Sequence, residues 1–417
     1  MNESAATATS PTQLLIGCTA ALLAAIGVCF IYSAGYVGAE FPVRANWLRQ
    51  IVFLGCGCVA AWFLTRLDNR RRTWRWMVFA GYAVSLTLLL AVFLCGRSIG
   101  GARRWLQLGG WLLQPAEFAK LFTILAGALF FSGDVFKGRL KSALAGSAAF
   151  VVPAALIAAE PSYGNALALL APLAVLLATR LLPAWCWGLL LALALTTAGG
   201  ATCALEYVRS HPEALSIEEE NVTGETGFMA SLFRGYHLKR FKSYLSAKGG
   251  WNERQAILTI AGGGAYGKGY LNGTMNKLGY LPRTVAPTDF IFAVLAEESG
   301  FFFGVMPVLA LYAILYALLL HQAAHAEARL DFNLIAAGTT LMATHTIVGV
   351  AMNIRLLPVI GLPMPLLSYG GSFTVATVAL IGIMAAARHH GANGEKTPGS
   401  AHGIDILRII RINLRIR

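Results

Sequence analysis

The amino-acid sequence predicts an all-α, polytopic membrane protein with about ten transmembrane helices and both termini cytoplasmic. Three observations predict it. The 417 residues are 57% hydrophobic and only 13% charged, with a mean hydropathy of +0.62, too little charge to cover a water-soluble surface. Apolar runs recur at about the 20 residues that a helix needs to cross the hydrocarbon core. The runs are continuously apolar instead of alternating, which excludes a β-barrel and leaves helices, because lipid satisfies no backbone hydrogen bonds.

The spans fall at about 14–36, 47–65, 76–95, 115–132, 144–160, 164–181, 184–205, 289–320, 333–352 and 369–388. The first is too long for a signal-peptide core and has no clear cleavage site, so it counts as a span. The link RLDNRRRTWRW after the second span carries Arg66, Arg70, Arg71, Arg72 and Arg75, and the positive-inside rule places it in the cytoplasm. Counting from there, 135–141, 321–329 and the basic tail 391–417 also fall inside. Residues 1–390 then form one transmembrane domain, with a long extracytoplasmic loop, 206–288, between the seventh and eighth spans. The tail ends IDILRIIRINLRIR, which reads either as a basic amphipathic helix on the inner leaflet or as a disordered end.

Net charge is +13, but its concentration in links beside the membrane points to lipid and phosphate, not nucleic acid. The long loop is acidic over 206–225 and basic over 234–283, and 228–245 mixes aromatics and cations as an interfacial segment does. The seven cysteines lie in or at the ends of apolar spans and read as buried small hydrophobes, with no disulfide framework. No His/Cys cluster has metal-ligand spacing.

Several residues carry candidate chemistry. Asp289 stands where the long loop enters the eighth span (PTDFIFAVLAEESG). There the helix dipole favours a carboxylate, which could act as a general base. Thr288 and Asp289 are also good capping residues, and spacing alone favours a cap. Glu297 and Glu298 follow about 12–13 Å deeper along the same helix, and charges at membrane depth normally face a cavity or a partner. Glu117 and Lys120 in QPAEFAKL share a helix face at i, i+3 and read either as a buried salt bridge or as partners of Glu297 and Glu298. Arg97, Arg103 and Arg104 sit in a short outer loop, where positive charge is normally scarce. The run AGGGAYGKGYLNGT (261–274) lacks Walker spacing. Its amides and Lys268 could contact a pyrophosphate, though tight turns are the simpler reading.

Three segments together resemble the SEDS family (shape, elongation, division and sporulation), the polytopic peptidoglycan polymerases: QPAEFAKL (114–121), the stretch from GGGAYGKGYLNGT through LPRTVAPTDFIFAVLAEESG (262–300), and LLPVIGLPMPLLSYGGS (356–372). GKG, LNGT and GLPMP look more like the elongation-type RodA branch than the division-type FtsW branch. The resemblance implies a glycosyltransferase that polymerises lipid II on the outer face of the cytoplasmic membrane, with a class B penicillin-binding protein as transpeptidase partner. It places the family's essential aspartate on Asp289, its Glu and Lys pair on Glu117 and Lys120, and its SYGGS motif on Ser368, Tyr369, Gly370, Gly371 and Ser372. The chain departs from the family at Glu160–Asn165, where Q-P-D-L-G-T is usual, at Pro287 where His is usual, and at Arg355 where Gly is usual.

On that basis Asp289 is expected to deprotonate the acceptor 4-hydroxyl, with undecaprenyl pyrophosphate leaving and Arg103, Arg104, Arg240 and Lys268 stabilising its charge. A divalent cation (Mg2+ or Mn2+) could share that task, but the sequence defines no site for it. The competing readings are a lipid II flippase, suggested by the prolines in the spans (Pro153, Pro172, Pro307), and an inactive scaffold for the penicillin-binding protein.

Overall fold

The computed structural model describes residues 10–38, 45–66, 72–99, 102–109, 111–160, 162–181, 250–326 and 328–387. Within them, eight helices are long and apolar enough to cross a membrane, and Gly371–Ala386 is a shorter ninth. They are α1 Pro11–Gly35, α2 Asn46–Arg66, α3 Arg72–Cys95, α4 Pro115–Ser132, α5 Arg139–Ala159, α6 Tyr163–Leu181, the continuous stretch Ile291–Ala324, α11 Arg329–Asn353 and α12 Gly371–Ala386. These match nine of the ten expected spans. The tenth, 184–205, lies outside the described residues, as do 228–245, Arg240 and the basic tail.

Terminal residues explain where several helices begin and end. Ser10 opens α1 with a capping box shared with Gln13, and Pro11 follows in the first turn. Pro115 starts α4, which ends at Gly133 in the left-handed conformation. Helix α4 is the hub. It is largely buried and packs against α3, α5, α6, α11 and α12. Close approach to α5 depends on glycine, since a Cβ at Gly127 or Gly146 would meet the rings of Phe150 and Phe131. Helices α2 and α3 expose most of their surface, and α2 packs along α12. The five described cysteines (Cys18, Cys29, Cys56, Cys58, Cys95) are free and exposed on outer helix faces. This corrects the expectation of burial: in lipid, an outward thiol costs nothing to leave unpacked.

Two elements depart from the expected loops. Residues 97–113 form a three-stranded antiparallel sheet, β1 Arg97–Ile99, β2 Ala102–Leu108 and β3 Trp111–Leu113, in the order β1-β2-β3. The glycine-rich run is not a free outer loop. It follows α7 (Trp251–Gly263), leads into the one-turn α8 (Thr274–Lys277) and folds back as a hairpin against α9 (Ile291–Gly300). Lys268 and Gly269 N–H donate to the Glu297 and Glu298 carbonyls, while Phe301 and Phe302 N–H donate to Gly264 and Ala265. The backbones cross so closely that a Cβ on Gly267 would lie 2.3 Å from the Glu298 carbonyl oxygen, and one on Gly300 2.3 Å from the Gly267 nitrogen. Gly300 also has φ +70°, so the chain breaks there and passes through a π-helical turn, Phe301–Val305, before α10 (Met306–Ala324). The break is therefore at Gly300, and Pro307 merely opens α10. Pro153 and Pro172 stand inside continuous helices.

Polar contacts fix the depth of these features. At one end of the bundle, Gln13 and Gln322 both donate to the Ala385 carbonyl. Ser33 lies about 20 residues, or about 30 Å, further along α1, which is one hydrocarbon thickness. Ser33 Oγ donates to Glu298 Oε1. Glu297 and Glu298 thus lie about one hydrocarbon thickness from the Gln13 end of the bundle. The stretch Ile291–Ala324 has 34 residues, about 51 Å at helical rise, longer than the apolar core alone requires.

Candidate active site

Asp289 lies two residues before α9 in a turn built by the 282–290 segment. Its N–H donates to Val285 O at 3.0 Å, and Asn353 Nδ2, at the outer end of α11, donates to its carbonyl at 2.9 Å. The N-cap of α9 is Phe290, which makes no side-chain cap bond. Asp289 is therefore not the capping residue that spacing favoured. Its half-buried side chain lies near Gly361, where an added Cβ would be 3.9 Å from Oδ2. The neighbouring Ile360 carbonyl presses on Gly164, where a Cβ would come within 2.9 Å. The first turn of α6, the 358–369 segment and Asp289 thus meet at one place.

The SYGGS residues hold that segment. Tyr369 N–H donates to Pro287 O at 2.8 Å, tying the motif to the turn that carries Asp289. Ser368 Oγ accepts from Met364 N–H, Gln50 Nε2 donates to Ser368 O and Thr374 Oγ1, and Gly370 N–H donates to Gln50 Oε1. Ser372 Oγ accepts from Gln114 N–H at the head of α4. A Cβ on Gly371 would meet the Phe53 ring at 2.8 Å.

Glu117 and Lys120 pair with each other at 2.8 Å, both 3% exposed, and do not reach Glu297 or Glu298. Lys120 Nζ also meets Asn165 Oδ1 at 2.9 Å and His345 Nε2 at 3.1 Å. An ammonium has three protons to give, and here each has an acceptor. A cavity of about 20 Å3 lies beside the cluster, lined by Glu117, Lys120, His345 and Thr377 among apolar side chains, room for about one water. The sequence reading missed His345, Asn165 and Gln50. A lone histidine inside an apolar span was the available signal, since ionisable groups at that depth are rare.

Glu297 and Glu298 bind the hairpin. Glu297 Oε1 accepts from Lys268 Nζ at 2.6 Å and from Thr274 and Met275 N–H. Glu298 accepts from Ser33 Oγ and from Leu271 and Gly273 N–H. The Lys268 ammonium is thus engaged by a carboxylate, and the glycine amides face protein carboxylates and carbonyls. Strand β2 alternates, so Arg103 is exposed while Arg104 turns inward toward Glu160. Glu160 is 1% exposed and neither carboxyl oxygen has a hydrogen-bond partner. Burial pushes its carboxyl up to about 8, and the Arg104 charge opposes that rise. Arg355 follows Asn353 at φ +60°, in the left-handed region where glycine is at ease. Among the described residues no group of three or more His, Cys, Asp or Glu could hold a metal ion.

The family model for the cell cycle proteins FtsW, RodA and SpoVE matches residues 13–393. The chain is 33% identical to the peptidoglycan glycosyltransferase MrdB of Escherichia coli strain K12 over 74% of this chain and 77% of that protein. It is 28% identical to the peptidoglycan glycosyltransferase RodA of Treponema pallidum, over 90% and 97% respectively. Among solved structures it resembles a chain of a peptidoglycan synthase complex that coordinates polymerization and crosslinking, with TM-score 0.63, 27% identity, and coverage of 91% of this chain and 98% of that one. Other relatives carry the name FtsW. The chain therefore belongs to the FtsW, RodA and SpoVE family of multi-pass membrane proteins.

Proposed function

We propose that the chain is a peptidoglycan glycosyltransferase that polymerises lipid II on the outer face of the bacterial cytoplasmic membrane, with Asp289 as general base. The observation that carries this reading is the placement of Asp289. It is a half-buried carboxylate in a turn pinned by Asn353 and by Tyr369 through Pro287, close to Gly361. Asp289 takes the proton of the acceptor 4-hydroxyl, the oxygen attacks the donor's anomeric carbon, and undecaprenyl pyrophosphate departs with the electron pair. Cations near the leaving group stabilise its growing charge. Arg103, exposed on β2, is the best placed of the described candidates, whereas Lys268 is held by Glu297 and Arg104 faces Glu160. A class B penicillin-binding protein is the proposed partner, and the elongation branch the proposed setting.

The test is glycan synthesis from lipid II by the purified protein. Asp289→Asn, which keeps size and polarity, should lower the polymerisation rate by about 10²–10⁴-fold, the usual weight of general-base assistance. A variant that polymerises at the wild-type rate removes Asp289 from the mechanism. Lipid II translocation into proteoliposomes with no glycan formed by the wild type would assign transport instead.

A further inference from the structure

His345 lies at the junction of two sets of contacts that the proposed chemistry does not otherwise connect. It is 1% exposed on α11, with one ring nitrogen 3.1 Å from Lys120 Nζ and the other 3.0 Å from the Pro363 carbonyl oxygen. Its protonation follows from its partners. An ammonium only donates and a carbonyl only accepts, so Nε2 is the acceptor for Lys120 and Nδ1–H the donor to Pro363. Only the neutral ring with its proton on Nδ1 satisfies both. Phe373 of α12 stacks on the imidazole, with centroids 5.0 Å apart, and its ring centre lies 5.5 Å from Lys120 Nζ, so the orientation is held from a third side.

Each end of this bridge matters. On one side His345 supplies the third acceptor of a buried ammonium whose other two are Glu117 and Asn165. On the other it grips the irregular 358–369 segment, which has no helix or strand of its own. That segment is anchored by Ile360 N–H on Met352 Sδ, by the Tyr312 hydroxyl on Pro365 O and by Tyr369 N–H on Pro287 O. Between the first two anchors, Pro363 has no N–H to give, and its carbonyl is where His345 holds the chain. Two residues earlier, Gly361 lies beside the Asp289 carboxylate, with an added Cβ 3.9 Å from Oδ2.

We propose that His345 is a positioning residue. By bridging Lys120 to the Pro363 carbonyl, it fixes the 358–369 segment as the wall against which Asp289 is aimed. The inference rests on the polymerase reading. Its consequence is specific: without the bridge, substrate still binds through its remote contacts, but the carboxylate meets the hydroxyl in poorer geometry, so the loss falls on kcat and not on KM.

The experiment compares wild type, His345→Phe and His345→Gln as full-length purified proteins. Phenylalanine keeps the ring stack and removes both nitrogens, whereas glutamine offers an acceptor and a donor on one planar group. With lipid II as substrate, His345→Phe should lose at least about 10-fold in kcat with KM within about 2-fold, and His345→Gln should recover most of the rate. Amide hydrogen exchange over 358–369, read by mass spectrometry, should rise in His345→Phe and return in His345→Gln. Should His345→Phe not yield folded protein, His345→Asn, too short to reach Lys120, takes its place with the same expected direction. Wild-type kcat in the nitrogen-free variant, unchanged exchange, or no recovery with glutamine would each overturn the proposal. If the wild type itself makes no glycan, the polymerase reading fails, and the exchange measurement alone decides whether His345 holds the segment.

Discussion

Substituting Glu117 tests the buried pair most directly, because the sign of the effect should depend on Lys120. Both side chains are 3% exposed and 2.8 Å apart inside the bundle. In Glu117→Leu the ammonium keeps only two neutral acceptors, Asn165 and His345. Leaving one charge of a buried pair uncompensated costs about 3–5 kcal/mol. Lys120→Met leaves the Glu117 carboxylate in the same state and in addition strips Asn165 and His345 of their donor, at about 1–3 kcal/mol for each unsatisfied group. Adding Glu117→Leu to Lys120→Met then removes an orphaned charge, so the same substitution should now stabilise, by about 3 kcal/mol. Reversible unfolding of the four proteins in mixed micelles, with increasing mole fraction of denaturing detergent, gives the cycle. A Glu117→Leu effect of one sign and one size in both backgrounds would refute the ion pair.

Two further outcomes follow from the outer end of the bundle. Glu160 is held near 8, above its unfolded value of about 4.5, so it is content as a neutral acid and opposes folding once ionised. Its contribution is fully present below the unfolded value and is lost as pH rises through about 8. Thermal stability of the wild type should therefore fall between about pH 4.5 and pH 8 more steeply than that of Glu160→Gln, and parallel pH profiles would exclude a buried neutral Glu160. Gly300→Ala would put a Cβ 2.3 Å from the Gly267 nitrogen at φ +70°, so it should cost at least about 2–3 kcal/mol. Size-exclusion chromatography should show lost monodisperse protein, whereas a control at Gly17, with open space around it, should be neutral.

Nine spans were legible because apolar run length alone marks a helix that crosses lipid, and boundaries such as Pro115–Ser132 fall where proline and glycine sit. The sheet at 97–113 was not, since its two outer strands have three residues each and the seven-residue β2 shows no clear apolar alternation in ARRWLQL. The packing of the glycine-rich hairpin on α9 was not legible because its partners, the backbone of Glu297 and Glu298, come from another element and its own composition only says turn. Glu117 and Lys120 announced each other at i, i+3, whereas Lys120 and His345 are 225 positions apart. Spacing can reveal a neighbour on one helix, but not one that packing supplies.

Arg355 bears on how this protein would change if stability were the only demand on it. Its backbone stands in a left-handed conformation that disfavours any residue with a Cβ by about 1–2 kcal/mol. Glycine would relieve that without moving the chain, and nothing about the bend itself calls for a long cationic side chain. Backbone geometry alone would therefore favour glycine at this position. The arginine there, two residues from the Asn353 amide that grips the aspartate's carbonyl, carries that backbone cost against the contacts the residue itself makes.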